Sequence, residues 1–311
     1  MLHFDTIKME ILGKIQHQNF LAQLIAKLKD YAILVKVRLN LTVVFSSAMG
    51  YLLAVGANDF LLSLIFLSIA GFCVTASANA LNQIIEKDYD KLMKRTANRP
   101  LTTGRMGVTE ALLVAGVLGV GGILLLWYMF NDLTALIGAV SLLSYAFIYT
   151  PLKRIHPIAV LVGAIPGALP PMIGWVAATG VMSIEAYTLF AIQFLWQFPH
   201  FWAIAWLGAE EYAKAGYKLQ PISEARSQKT AIHIIVYILF LIAVTLTPIL
   251  FQMSSIYFAA VALLLGAFFL YYGINLFKKC DNKAALHLML ASVVYLPLLQ
   301  ILMVLDKWFL L

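Results

Sequence analysis

A chain of 311 residues that is 62% hydrophobic and 12% charged cannot fold as a water-soluble globule, because its apolar side chains exceed what one interior can hide. The apolar residues form continuous runs of about 20 instead of alternating at period two, which excludes a β-barrel and predicts helices that cross a lipid bilayer. The net charge of +7 sits mostly between those runs, where it reads as an orientation signal and not as a nucleic-acid surface.

Residues 1–35 form a first unit. Asp5, Lys8, Glu10 and Lys14 interrupt any apolar core, so no cleaved signal peptide is expected. Phe20, Leu21, Leu24, Ile25 and Leu28 share one helical face, with Gln23, Lys27 and Lys29 elsewhere, which predicts an amphipathic helix on the cytoplasmic membrane surface. Residues 36–311 form the second unit, an all-α bundle of nine membrane spans around a central cavity. The spans run from Leu39 to Val55, Phe60 to Leu81, Val108 to Met129, Leu133 to Tyr149, Pro157 to Ala178, Ile184 to Leu207, Ala231 to Phe251, Ile256 to Phe277 and Leu286 to Leu305.

The basic residues Lys8 to Arg38, Lys87 to Arg105, Lys153 with Arg154, Lys214 to Lys229 and Lys278 to Lys283 all fall on one side of these spans, with Lys307 on the other. The bias of Lys and Arg toward cytoplasmic loops then sets the N-terminus inside and the C-terminus outside. Opposite-side links such as Gly56 to Asp59 and Asn131 to Asp132 are too short to hold a site. Cys73 and Cys280 have no paired spacing, so neither a disulfide framework nor a thiolate metal site is indicated.

Function is therefore expected in the long cytoplasmic connections after spans two and six. Each opens with acidic residues: Glu86, Asp88, Tyr89, Asp90 and Lys91 in one, Glu210, Glu211, Tyr212 and Lys214 in the other, an echo that fits a weak internal duplication. If span two continues as helix, Asn82, Glu86 and Asp90 lie at i, i+4 and i+8 and project from one face, with a drift of about 40° per step. Such a ladder of oxygen ligands suits a hard divalent cation, and Mg²⁺ in particular binds through one or two carboxylates together with substrate phosphates. Lys94, Arg95 and Arg99 follow at once and suit phosphate oxygens. Lys87, Asp88 and Lys91 read instead as ordinary charges on a solvated helix end.

The stretch from Asn82 through Asp90, then Met93-Lys94-Arg95-Thr96 and Asn98-Arg99-Pro100-Leu101, resembles the first signature of the UbiA superfamily of intramembrane prenyltransferases. The likeness continues in Tyr149-Thr150-Pro151-Leu152-Lys153-Arg154, in Gly163 to Trp175, and in Trp196-Gln197-Phe198-Pro199-His200-Phe201-Trp202 running on to Gly216. It is most specific toward the branch that farnesylates haem. The resemblance implies a nine-helix bundle in the bacterial inner membrane, Mg²⁺ as cofactor, and farnesyl diphosphate and haem b as substrates. The next enzyme of haem A synthesis or a terminal oxidase would be its partner.

By the same resemblance Asn82, Glu86, Asp90, Arg95 and Arg99 carry catalysis. Lys36, Arg38, Lys94, Lys153, Arg154, His200, Trp202, Tyr212 and Lys214 contact substrate, and Glu210 and Glu211 join Asn82, Glu86 and Asp90 as metal ligands. Two departures stand out: Gln83 follows Asn82 where the superfamily often has aspartate, and Glu210 and Glu211 with His200 stand where a second aspartate repeat is usual. Read from its surroundings alone, His200 is either a packing residue or part of a cavity wall for a porphyrin or a farnesyl chain. A related prenyltransferase with another acceptor, a secondary transporter and an oxidase assembly factor are the competing functions, and loss of turnover in Glu86→Gln or Asp90→Asn separates the enzyme from the last two.

Overall fold

The computed structural model describes residues 21–55, 60–219 and 226–310. The expectations for residues 1–20, Phe20 among them, and for the link Gly56 to Asp59 lie outside them. In chain order the helices are α1 (21–34), α2 (Val37–Val55), α3 (Leu61–Asp90), α4 (Pro100–Thr103), α5 (Val108–Met129), α6 (Asp132–Leu143), α7 (Thr150–Leu152), α8 (Ala159–Thr179), α9 (Ile184–Leu207), α10 (Ala209–Lys214), α11 (Gln228–Thr245), α12 (Thr247–Leu250), α13 (Ile256–Lys279) and α14 (Asn282–Leu310). A π-helical turn, Ser144–Tyr149, joins α6 to α7.

Eight of the described spans are long and apolar enough to cross a bilayer. The sequence predicts nine, and the difference is α9. It runs for 24 residues but is not among the eight, because Glu185, Gln193, Gln197, Pro199 and His200 lower its hydropathy. The predicted span Ala231 to Phe251 is broken at Leu246, where Pro248 lacks the N–H that would continue the ladder. α1 exposes Leu21, Leu24, Ile25 and Leu28, as an interfacial helix would, and fastens its other face to the bundle. There Lys27 and Tyr31 donate to Glu110 at 2.8 and 2.6 Å, and Arg105 pairs with Asp30 at 3.0 Å.

Lipid tails are as apolar as leucine, so helices in a membrane are held by close packing and buried hydrogen bonds. Both are visible around α8, which runs unbroken through Pro166, Pro170 and Pro171. A proline inside a helix leaves the carbonyl four residues earlier without its donor. The carbonyl of Pro166, freed by Pro170, accepts from Ser141 Oγ at 3.4 Å, and that of Gly167, freed by Pro171, accepts from Gln193 Nε2 at 2.8 Å. Gln193 in turn accepts from Gln300 Nε2 at 3.1 Å, and Ser46 donates to Gln300 at 3.2 Å, so one buried amide chain ties α2, α8, α9 and α14 together.

Gln193→Leu is accordingly expected to cost about 1–2 kcal/mol of stability. The cost should shrink in a Pro171→Ala background, where the alanine N–H takes over the Gly167 carbonyl. A double-mutant cycle on thermal unfolding in detergent checks this, and strictly additive effects would refute it.

Candidate active site

Nothing between Cys73 and Asp90 breaks a helix, since the stretch contains neither Gly nor Pro. α3 therefore continues for 30 residues, about 45 Å, which exceeds the hydrocarbon thickness and carries Asn82, Glu86 and Asp90 to the bundle's end on one face. The helix stops at Asp90, whose carbonyl accepts from Thr96 Oγ1 at 2.8 Å, and the loop returns through Arg99 into α4, with Gly104 at φ +79° ending that short helix.

All three ladder residues are buried, and each is held by a cation or an amine. Lys36 Nζ donates to Asn82 Oδ1 at 3.0 Å, Lys153 is ion-paired with Glu86, and Arg99 Nη1 meets Asp90 Oδ2 at 2.5 Å. Asn82 Nδ2 donates to Thr150 Oγ1 at 3.1 Å. Two carboxylates thus face three basic groups. Burial, reinforced by the Arg99 charge, lowers the Lys36 ammonium to about 7, and burial beside Glu86 pushes the Tyr217 phenol up. Lys36 sits at φ +52°, a left-handed conformation that a residue with a Cβ seldom adopts.

Asp90 Oδ1 is buried with no hydrogen-bond partner among the described residues, so the ladder retains an unused carboxylate oxygen. No cluster of three His, Cys, Asp or Glu forms among them. A donor set of two carboxylates and an amide is too sparse for an all-protein cage, and it fits Mg²⁺, which takes its remaining ligands from water and phosphate.

Tyr149 joins this polar end to an apolar one. Lys153 Nζ lies 4.9 Å from its ring centroid, and the same ring lines a cavity of about 110 Å³ with Val160, Phe201, Ile204, Tyr212 and Leu219. Gly163 is required there, because a Cβ would collide with the Tyr149 ring. The segment after α10 covers the site: Lys218 N donates to the Lys153 carbonyl at 2.7 Å, and Lys153 Nζ lies 5.4 Å from the Tyr217 ring.

Several expected residues are placed otherwise. Glu210 is exposed and pairs with Arg226 at 3.0 Å, while Glu211 accepts from the Lys94 backbone N–H and from Lys214 at 3.4 Å. The Lys94 N–H bond holds the Glu211 carboxyl below its usual range. In this structure the two glutamates latch loops together and are paired apart from the ladder residues. Arg38, Lys94, Arg95 and Lys214 are exposed, and Arg154 stacks 3.7 Å over the Tyr89 ring.

His200 is held by Ser292 at 2.7 Å and stacks on Trp196 with centroids 4.7 Å apart. Because Ser292 Oγ donates to the Met289 carbonyl at 2.5 Å, its hydrogen is used, and His200 Nδ1 is the donor between them. His200 Nε2 is then the imidazole's acceptor. Trp202 is packed against Phe198 and Tyr237. Of the expected contacts with substrate, Tyr212 alone lines the cavity. Sequence reasoning missed Thr150, Tyr149 and Tyr217 as functional residues. The first two lie inside a quoted motif, and the third follows Gly216, whose φ of +70° turns the chain back over the site.

A buried carboxylate ladder with basic groups upon it lies beside a cavity lined in part by aromatic rings, all within a helical membrane bundle. The chain belongs to the UbiA prenyltransferase family, whose model matches residues 43–296. Its relatives include the protoheme IX farnesyltransferases of Cytophaga hutchinsonii, 50% identical over 91% of this chain and 99% of that protein, and of Flavobacterium psychrophilum, 46% identical over 90% and 94%. The fold is also that of solved structures. One, of digeranylgeranylglyceryl phosphate synthase, has a TM-score of 0.76 at 18% identity, covering 92% of this chain and all of that one. Another, a UbiA homologue from Archaeoglobus fulgidus bound to GPP and Mg²⁺, has a TM-score of 0.67 at 16% identity over 88% and 99%. The chain is thus a multi-pass membrane prenyltransferase.

Proposed function

We propose that this chain transfers the farnesyl group of farnesyl diphosphate to a vinyl group of protohaem IX, giving haem O. The observation that carries the reading is the buried ladder whose three members are each met by a basic group, one of which, Lys153, also lies over the Tyr149 ring that lines the cavity. The acceptor is supported by relatives named protoheme IX farnesyltransferase that align over nearly their whole length.

In this reading Lys36, Lys153 and Arg99 hold the diphosphate and neutralise it as the allylic C–O bond breaks. Asn82, Glu86 and Asp90 would hold Mg²⁺, which would supply further neutralisation of the diphosphate charge. Tyr149 and Phe201 offer their ring faces to the allylic cation and keep water from it. The vinyl carbon then bonds to the farnesyl C1, water adds its hydroxyl to the carbon left cationic, and a proton is released. The cavity of about 110 Å³ is smaller than the roughly 300 Å³ at which small-molecule pockets begin, so the fifteen-carbon chain extends beyond it between helices toward lipid. His200 Nε2, the free acceptor of its ring, is the candidate contact to haem iron.

The bias of basic residues among the loops supports a site on the cytoplasmic side, with the N-terminus inside and the C-terminus outside, in what we take to be the bacterial inner membrane. Residues 1–35 serve as the surface segment and 36–311 as the single catalytic unit. Mass spectrometry of haems extracted from membranes of cells expressing the chain should detect haem O, absent from vector controls. Competent expression without haem O would overturn the choice of acceptor.

A further inference from the structure

Gln83 neighbours the ladder without belonging to it. Its side chain is 1% exposed, and its Nε2 donates to the carbonyls of Ile33 at 2.9 Å and Leu34 at 2.7 Å, the last two residues of α1. Carbonyls at a helix C-terminus lack donors within their own helix, so the Gln83 NH₂ from α3 serves the Leu34 carbonyl and joins the Lys36 N–H, at 3.2 Å, on that of Ile33. Two residues further on, Lys36 takes its left-handed φ of +52°, and its carbonyl accepts from Asn40 N at 3.1 Å as α2 begins. The Lys36 amine then returns to Asn82, the residue next to Gln83. Adjacent positions of α3 therefore grip the backbone before Lys36 and the tip of its side chain.

We propose that Gln83 is a positioning residue: it clamps the end of α1 so that the strained backbone of Lys36 aims the amine at the diphosphate end of the ladder. This deepens the prenyltransferase reading and rests on it. A carboxylate at position 83 has no hydrogens to give and would set its charge against two carbonyl oxygens, so the aspartate frequent in the superfamily cannot do this work. Gln83 Oε1 is buried without a hydrogen-bond partner among the described residues, and the two donations are the side chain's polar contacts there.

The experiment uses the full chain in detergent or nanodiscs with Gln83→Met, which keeps volume and removes both donors, and Gln83→Glu, which keeps shape. Each is made alone and with Lys36→Met. Diphosphate release from farnesyl diphosphate with Mg²⁺ and protohaem IX gives kcat and KM, and hydrogen exchange is followed on the peptide spanning residues 33–38. Gln83→Met should raise KM for farnesyl diphosphate about tenfold, the scale of a lost buried hydrogen bond or two, and affect kcat less. In the Lys36→Met background the same change should do nothing more, because the group it positions is gone. Exchange at the 33–38 peptide should quicken while a peptide within α13 stays unchanged.

An unaltered KM, or effects of the two substitutions that multiply, overturns the proposal, as does unaltered exchange. If Gln83→Met cannot be purified folded, the cycle with Gln83→Glu decides by the same criteria. Wild-type protein that releases no diphosphate would sink the proposed chemistry, and the exchange measurement would still judge the clamp.

Discussion

Asp90→Asn and Glu86→Gln are each expected to lower Mg²⁺-dependent diphosphate release by about a thousandfold or more, since each removes a charge that must act in the transition state. The two variants should also be less stable. Glu86 and Lys153 are buried together, and removing one member of a buried pair leaves an uncompensated charge, at a cost of about 3–5 kcal/mol. Stability and chemistry can be separated by Glu86→Gln combined with Lys153→Met. That double variant should regain most of the melting temperature lost by Glu86→Gln and none of its turnover. Full turnover in either single carboxylate variant would sink the ladder as the reacting centre.

The second large effect concerns α2 and α8. A Cβ on Gly174 would overlap the Ser47 carbonyl oxygen, and one on Gly50 would overlap that of Pro171. The obstructing atoms are backbone in rigid helices, so no side chain can swing away. Gly174→Ala and Gly50→Ala should each cost about 3 kcal/mol or more, the upper range of overpacking, and sharply reduce folded yield. Gly116 of α5 faces open space, so Gly116→Ala should be neutral or slightly stabilising through its helix propensity, by up to about 1 kcal/mol. Melting temperatures of the three variants in one detergent test the contrast, and equal losses would refute it. The consequence reaches the site, because α8 also carries Gly163, which makes room for Tyr149.

The ladder was legible in the sequence because Asn82, Glu86 and Asp90 keep a helical period that continues past the apolar run, and regular helix transmits such spacing faithfully. Lys36 and Lys153 could be proposed from neighbouring motifs, but the particular partner of each could not be read. The contacts of Glu210 and Glu211 could not be read, because they lie beyond Gly208 on a short helix in a connecting segment, where the path of the chain and not periodicity decides what a carboxylate meets. Tyr217 was hidden for a related reason, as its approach depends on the turn at Gly216. Gln83 drew notice as a departure from the superfamily pattern. Its role needed the end of α1, brought back against α3 from fifty residues upstream, which no local pattern encodes.

The pairing of every ladder residue with a basic group bears on how a multiply charged ester can enter a low-dielectric bundle at all. Lys153 on Glu86 and Arg99 on Asp90 act as built-in counter-ions, so the desolvation of these charges is completed when the protein folds. In the proposed reaction Glu86 and Asp90 would release Lys153 and Arg99 to an incoming diphosphate and would hold the divalent cation that accompanies it. Little new charge is buried in that exchange. Electroneutrality of the site would couple the binding of the two ligands, so each alone should bind much more weakly than both together.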